Sequence, residues 1–377
     1  MVAIYGDKTV FEIGLERIEY IFDEFKNVIV GFSGGKDSTV VLNLALQVAE
    51  KRGRLPLPVL FVDQEAEWDC TIDYMRIVMN DPRVKPYWFQ VPFRIFNATS
   101  QDQEWLHAWE PGKQWIRDKE DIAIKEKPFK GDRFTELFDK GGDFIFKGEP
   151  YAWFNGVRCE ESPARRSGLT SYATYKWITW GMVKDKKKGQ FVFCPLYDWS
   201  YKDIWKAIHD NGWNYCKLYD YMYQYGTPVS EMRVSNVTHE TAVKSLYFLQ
   251  EVEGDLWSRL TQRLKGVNTA KHLQGDGECP HELPYMFKNW KEYRNYLLET
   301  LITNDQHRQI MRRHISSDDY HYSPEIADKV IKMHIKMILV NDYHGTKRDT
   351  FRAANAKYRR NDGARRAKRN KELGYKS

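Results

Sequence analysis

Apolar positions in the early part of the chain alternate between two periods. From Lys8 to Phe25 they recur at helical spacing, which predicts an N-terminal helix. Val28-Ile29-Val30-Gly31-Phe32 is then a continuous run of high β-propensity, short enough to be a buried strand. Thr39 to Glu50 returns to the helical period, and the same pairing recurs over Pro58 to Met79. A third unit opens with Pro86-Tyr87-Trp88-Phe89-Gln90-Val91. Strands separated by helices predict a parallel sheet with right-handed crossovers. The expected fold class is α/β, with a doubly wound, mainly parallel sheet.

Farther on, Arg117 to Arg133 is densely charged and predicts a solvated loop or flap. Tyr151 to Asn155 is an aromatic, strand-like run. Lys184 to Gly189 reads as a hairpin turn, and Tyr201 to Asn211 as a helix. After Gly226 helical spacing dominates, over Thr241–Lys265, Tyr285–Leu301 and Pro324–Val340, with breaks such as Gly275-Asp276-Gly277. A boundary at Tyr225-Gly226-Thr227-Pro228 gives an α/β domain (1–226), a helical extension (227–342) and a basic tail (343–377).

The chemistry centres on Ser33-Gly34-Gly35-Lys36-Asp37-Ser38, between the first strand and its helix. The glycines let the backbone bend tightly, so that the loop amides and those of the first helical turn converge on one spot. That spot suits a phosphate, helped by the helix dipole, Lys36 and the hydroxyls of Ser33 and Ser38. Asp37 is placed to hold a magnesium ion on a phosphate chain. A Walker A loop is excluded, because it needs four residues between its glycines and a hydroxyl residue directly after the lysine. Asp63 follows the run Pro58 to Val62, at the strand end where such sheets bind ligands. It is a candidate for nucleotide binding or for magnesium.

The hexapeptide resembles the PP-loop of the adenine nucleotide α-hydrolase superfamily. Gly156-Val157-Arg158-Cys159-Glu160-Glu161-Ser162-Pro163-Ala164-Arg165-Arg166 resembles the Gly-Ile/Val-Arg-x-x-Glu-Ser-x-x-Arg segment of phosphoadenosine-phosphosulfate (PAPS) reductases and their relatives. Pro195-Leu196-Tyr197-Asp198-Trp199-Ser200-Tyr201-Lys202-Asp203-Ile204-Trp205 resembles a second segment of that family, and Leu218-Tyr219-Asp220 continues it. The resemblance implies a site for ATP, PAPS or adenosine phosphosulfate (APS), with reaction at the α-phosphate. Gly156 opens the second motif, and Arg158, Arg165 and Arg166 are suited to bidentate phosphate or sulfate contacts. Glu161 is placed to orient an arginine or to accept from the ribose, and Ser162 to cap the following turn. Asp198 stays open between helix cap and ligand, while Trp199 and Trp205 read as packing residues.

The five cysteines, Cys70, Cys159, Cys194, Cys216 and Cys279, have no metal-ligand or redox spacing. The family's Glu-Cys-Gly-Leu-His segment and its iron–sulfur cysteine pairs are absent from the sequence. No iron–sulfur cluster is expected, and sulfonucleotide reduction lacks its usual nucleophile unless Cys159 or Cys279 supplies one.

A hydrophobic share of 42% supports a sizeable core, and no apolar stretch is long enough to span a membrane. With no signal-peptide pattern and no cysteine framework, a soluble cytoplasmic protein is expected. The net charge is +6, yet beyond Tyr343 twelve Lys/Arg face three Asp/Glu, so the rest of the chain is acidic. Arg359, Arg360, Arg365, Arg366, Lys368 and Arg369 are candidates for nucleic-acid binding, with a solvating tail as the alternative. The helical extension with its basic end resembles IbrA-like proteins of bacteria and prophages, which implies DNA and a ParB-like protein as partners.

Three functions remain open at this point. One is adenylyl transfer from ATP to an acceptor, with Lys36, Asp37 and Arg158 as the catalytic set. The others are a non-catalytic, nucleotide-sensing DNA-binding regulator and a PAPS or APS reductase.

Overall fold

The computed structural model describes residues 6–99, 105–171, 174–239, 245–267, 282–302, 304–340, 342–343 and 345–355, with positions 242, 280 and 358 besides. Cys279, the Gly275–Gly277 break and the tail residues Arg359, Arg360, Arg365, Arg366, Lys368 and Arg369 lie outside the described residues. The chain divides into two compact units. One holds residues 1–95, 105–237 and 248–263, the other 96–104, 238–247 and 264–377.

In the first unit the predicted alternation is realised. Helix α1 (Val10–Glu24) precedes β1 (Val28–Gly31), α2 (Lys36–Lys51), β2 (Leu57–Val62), α3 (Asp69–Met79) and β3 (Val84–Phe89). Thr9 starts α1 through a reciprocal capping box: its hydroxyl accepts from the Glu12 amide at 3.2 Å, and Glu12 accepts from the Thr9 amide at 2.8 Å. Strands β4 (Phe93–Phe96) and β5 (Trp105–Ala108) form a separate two-stranded sheet. Helix α4 (Phe134–Phe146) then leads to β6 (Tyr151–Phe154), and α5 (Pro163–Ser171) to β7 (Thr174–Tyr175), β8 (Ile178–Asp185) and β9 (Gln190–Phe193). Helices α6 (Tyr201–Asp210) and α7 (Leu218–Gln224) follow.

The main sheet has seven strands in the order β3-β2-β1-β6-β9-β8-β7. Strands β3, β2, β1, β6 and β9 are parallel, and β8 and β7 are added antiparallel. Alternate residues of the strands bury one face against α4, where Ile29, Leu60, Val62, Phe89, Leu137, Tyr151 and Trp153 form one apolar cluster. The chain runs from β1 outward to β3 and then crosses back to β6 on the other side of β1. The strand order therefore reverses between β1 and β6, and the crevice beyond their carboxyl ends is where doubly wound sheets bind ligands.

The charged stretch Arg117 to Arg133 differs from its expectation. The Ile124 amide donates to the Trp88 carbonyl at 2.7 Å and its carbonyl accepts from the Gln90 amide at 3.1 Å. Apolar Ile124 anchors this segment along β3 and the Arg117 side chain is withdrawn from solvent onto Asp63, while most of the stretch is exposed, so the solvated loop is corrected at these two points.

Helices α8 (Leu246–Val252) and α9 (Gly254–Arg263) come next in the chain. The second unit is helical, with α10 (Trp290–Thr300), α11 (Asp305–His321), α12 (Ala327–Leu339) and α13 (Thr346–Ala354). Leu297, Ile302, Met311, Ile335, Met337 and Ile338 lie in its core. Asp318 is wholly buried there and accepts from His334 (3.2 Å), Arg348 (2.7 Å) and Arg352 (3.1 Å). Burial opposes its charge, but the His334 and Arg348 hydrogen bonds outweigh that and hold the carboxyl below its ordinary range. The basic segment expected as a tail from residue 343 thus begins as a packed helix. No helix among the described residues is long and apolar enough to cross a membrane.

Candidate functional site

The loop after β1 turns at Gly34, whose φ of +74° is the left-handed region that glycine alone adopts without strain. Gly35 is the N-cap of α2, so Lys36, Asp37 and Ser38 form the first helical turn rather than lying in the loop. Ser38 fastens the turn by donating to the Gly35 carbonyl at 2.9 Å and meeting the Ser33 hydroxyl at 3.3 Å. Ser33 itself is exposed. Gly156 follows β6 and lies against this turn. A Cβ at that position would stand 2.8 Å from both the Asp37 carbonyl carbon and the Ser38 nitrogen. The two motifs meet backbone to backbone, and only glycine permits that approach.

The three residues expected to be catalytic form one ion chain. Asp37 takes the Lys36 ammonium on one oxygen at 3.0 Å and the Arg158 Nε on the other. Arg158 goes on to Glu160 at 2.8 Å and to the Trp199 carbonyl at 3.1 Å. Lys36 and Arg158 are buried. Burial works against the Arg158 charge, yet Asp37 and Glu160 more than offset it, and the guanidinium holds its proton more firmly than usual. Both Asp37 oxygens face cations, and in this arrangement the carboxylate organises Lys36 and Arg158. Among the described residues no group of three or more His, Cys, Asp or Glu could hold a metal ion.

The rest of the arginine segment divides in two. Glu161 accepts from the Arg158 amide at 3.0 Å and pairs with Arg165, so it orients arginines. Ser162 accepts from the Arg165 amide at 3.1 Å and caps α5. Arg165 and Arg166 are exposed. Cys159 lies beside them, but burial pushes its thiol up, away from thiolate character. Cys194 is buried and pushed up to about 12 by desolvation.

Two candidates are placed elsewhere. Asp63 is wholly buried at the end of β2 and accepts from Trp88 Nε1 (2.9 Å), Gln90 Nε2 (2.8 Å), the Glu65 amide (3.0 Å) and Arg117. Its oxygens are occupied by the protein, so its ligand role is corrected to bracing the strand end. Asp198 pairs with Arg17 of α1 through both oxygens, at 2.6 and 2.7 Å. Ser200, not Asp198, caps α6, in a capping box with Asp203.

Sequence reasoning missed Tyr219 and the strap that follows α7. The Lys36 amide donates to the Tyr219 hydroxyl at 2.8 Å, and the Lys36 ammonium stands 3.4 Å from the Met232 carbonyl. Burial, then the Asp37 charge, raises the Tyr219 phenol well above its ordinary range, so it stays protonated. Leu218-Tyr219-Asp220 was a visible motif, but nothing in its spacing pointed back to Lys36.

Residues 27–225 match the model of the phosphoadenosine phosphosulfate reductase domain. The chain belongs to that family. Residues 226–358 match a domain of unknown function (DUF3440). The chain is 28% identical over 313 residues to the uncharacterized protein YbdN of Escherichia coli (strain K12), covering 78% of this chain and 75% of YbdN. It is 27% identical over 137 residues to adenosine 5'-phosphosulfate reductase 1 of Bacillus subtilis (strain 168), covering 34% of this chain and 54% of that protein. Among solved structures, the FMN adenylyltransferase of Candida glabrata aligns over 63% of this chain and 66% of its own, at 15% identity and a TM-score of 0.39.

Proposed function

We propose that this PAPS reductase-family protein binds ATP or a close adenylyl nucleotide in the crevice between β1 and β6. As an enzyme it would cleave between the α- and β-phosphates, adenylylating an acceptor. The acceptor's nucleophilic atom attacks the α-phosphorus, the bond to the bridging oxygen breaks, and pyrophosphate leaves with that electron pair. The observation that carries this reading is the ion chain Lys36–Asp37–Arg158, set at the reversal point of the sheet beside the glycine-shaped helix N-terminus. Fixed cations at that place can stabilise charge developing on a phosphate without reorganising. Ser33, Gly34, Gly35 and Ser38 would face the pyrophosphate, with Arg165 and Arg166 toward the acceptor.

The test is to follow α-labelled ATP. An adenylylated acceptor or AMP, with pyrophosphate, supports the reading. Intact ATP with binding retained leaves a sensor, and no binding overturns it.

A second reading, a nucleotide-sensing regulator that works on DNA beside a ParB-like partner, is favoured by the basic C-terminal segment. Arg348 and Arg352 are committed to Asp318, so the truncation that tests it begins after residue 358 rather than at 343. Loss of salt-sensitive duplex binding supports it, and unchanged binding counts against it.

A further inference from the structure

The strap from Thr227 to Val237 belongs to the first unit, although it lies in the part of the chain that matches the domain of unknown function. It touches three loops at the carboxyl edge of the sheet, those after β1, β2 and β6. The Met232 carbonyl faces Lys36 after β1 at 3.4 Å. Asn236 pairs with Gln64, and the Val237 amide donates to the Ala66 carbonyl at 2.7 Å, both after β2. Arg233 Nη2 donates to the Glu161 carbonyl after β6 at 3.0 Å.

Arg233 differs from the cations around it. Lys36 has Asp37, Arg158 has Asp37 and Glu160, and Arg165 has Glu161. Arg233 is half-buried, and among the described residues it donates only to a neutral carbonyl, with no carboxylate in ion-pair reach. A partly desolvated guanidinium without a counter-charge is costly to maintain, and a planar fork with free donors is matched by a tetrahedral oxyanion. Glu161 is the common point: its carboxylate holds Arg165 and its carbonyl holds Arg233.

We propose that Arg233 is a further substrate-recognition residue, which binds a second oxyanion, phosphate or sulfate, carried on the α-phosphate of the adenylyl nucleotide. This rests on the nucleotide-binding reading above. It assigns a role at that site to the first residues of the region whose function is unknown, and it selects for anhydrides over simple nucleoside monophosphates.

The test is calorimetric titration of the full chain and of Arg233→Gln and Arg233→Lys with AMP, ATP and adenosine 5'-phosphosulfate. Losing a charge-assisted contact should weaken the anhydrides roughly 10- to 100-fold in Arg233→Gln. AMP should be unchanged within about twofold, and Arg233→Lys should recover part of the loss. A loss confined to ATP identifies the oxyanion as phosphate, and one confined to the phosphosulfate identifies it as sulfate. Equal loss for AMP, or no loss for any ligand while the full chain binds, overturns the assignment of Arg233 alone. Failure of the unaltered chain to bind any of the three overturns the nucleotide reading and this proposal with it.

Discussion

The Tyr219 hydroxyl accepts from the Lys36 amide at 2.8 Å, so a side chain of α7 supplies the cap that Gly35 cannot give to α2. Tyr219→Phe keeps the ring, which stands 5.7 Å from the Lys36 ammonium, but strands a buried N–H. It should cost roughly 1–2 kcal/mol in urea denaturation. An unchanged midpoint would mean that water replaces the hydroxyl.

Asp37→Asn should be harsher. It leaves the buried Lys36 and Arg158 facing each other without their shared anion. Breaking one partner of a buried ion pair costs about 3–5 kcal/mol, and the nucleotide-induced rise in melting temperature should vanish with it. Retention of both in a folded variant would remove the ion chain from the functional argument.

Gly156→Ala tests the backbone approach. The new Cβ would meet backbone atoms at 2.8 Å, which cannot rotate aside, so the loop after β6 must move off α2. A loss of about 1–3 kcal/mol is expected, together with weakened ATP binding. Full stability and full binding would show that the two loops can separate freely.

The alternation of strand and helix was legible from residue 8 to residue 90, because the β1 and β2 runs are apolar throughout, β3 is mostly apolar and aromatic, and each helix is periodic. The meeting of Ser33–Ser38 with Gly156–Arg166 was legible too, through motif resemblance. Asp63 was misread because its position at a strand end is correct, while its partners Trp88, Gln90 and Arg117 come from segments far apart in sequence. Arg233 was invisible for the same reason. A lone cation in an irregular strap has no period, and its meaning lies in what its neighbours already hold.

Glu67 gives the first unit a pH signature. Burial, then the nearby Asp63 charge, pushes its carboxyl from 4.5 up to about 8. Between those values the folded chain keeps a proton that the unfolded chain has released, so this contribution to stability falls as pH rises from about 4.5 to about 8. Glu67→Gln should abolish that slope, gaining stability over the unaltered chain at the alkaline end and little at the acid end. Parallel melting curves for the two chains across that range would refute the assignment.

Asp318 predicts the opposite sign in the second unit. Its carboxyl is held below the ordinary 3.8, so its stabilisation is present above that value and is lost as pH falls through the lowered one. Asp318→Asn at neutral pH should cost about 3–5 kcal/mol by leaving Arg348 without a carboxylate and Arg352 with only the exposed Asp349 at 3.9 Å, read by calorimetric unfolding. A loss below about 1 kcal/mol would show the pairs to be dispensable.

The docking of Ile124 along β3 has a consequence for how the molecule behaves in a crowded solution. An outermost strand with free amides and carbonyls is a template on which another chain can add itself. Here the backbone of residue 124 takes the Trp88 carbonyl and the Gln90 amide, and Pro86 within β3 has no amide to offer. The opposite margin, β7, is only two residues long. The stretch whose charges look like a soluble insertion therefore also acts as a guard against edge-to-edge aggregation of the sheet.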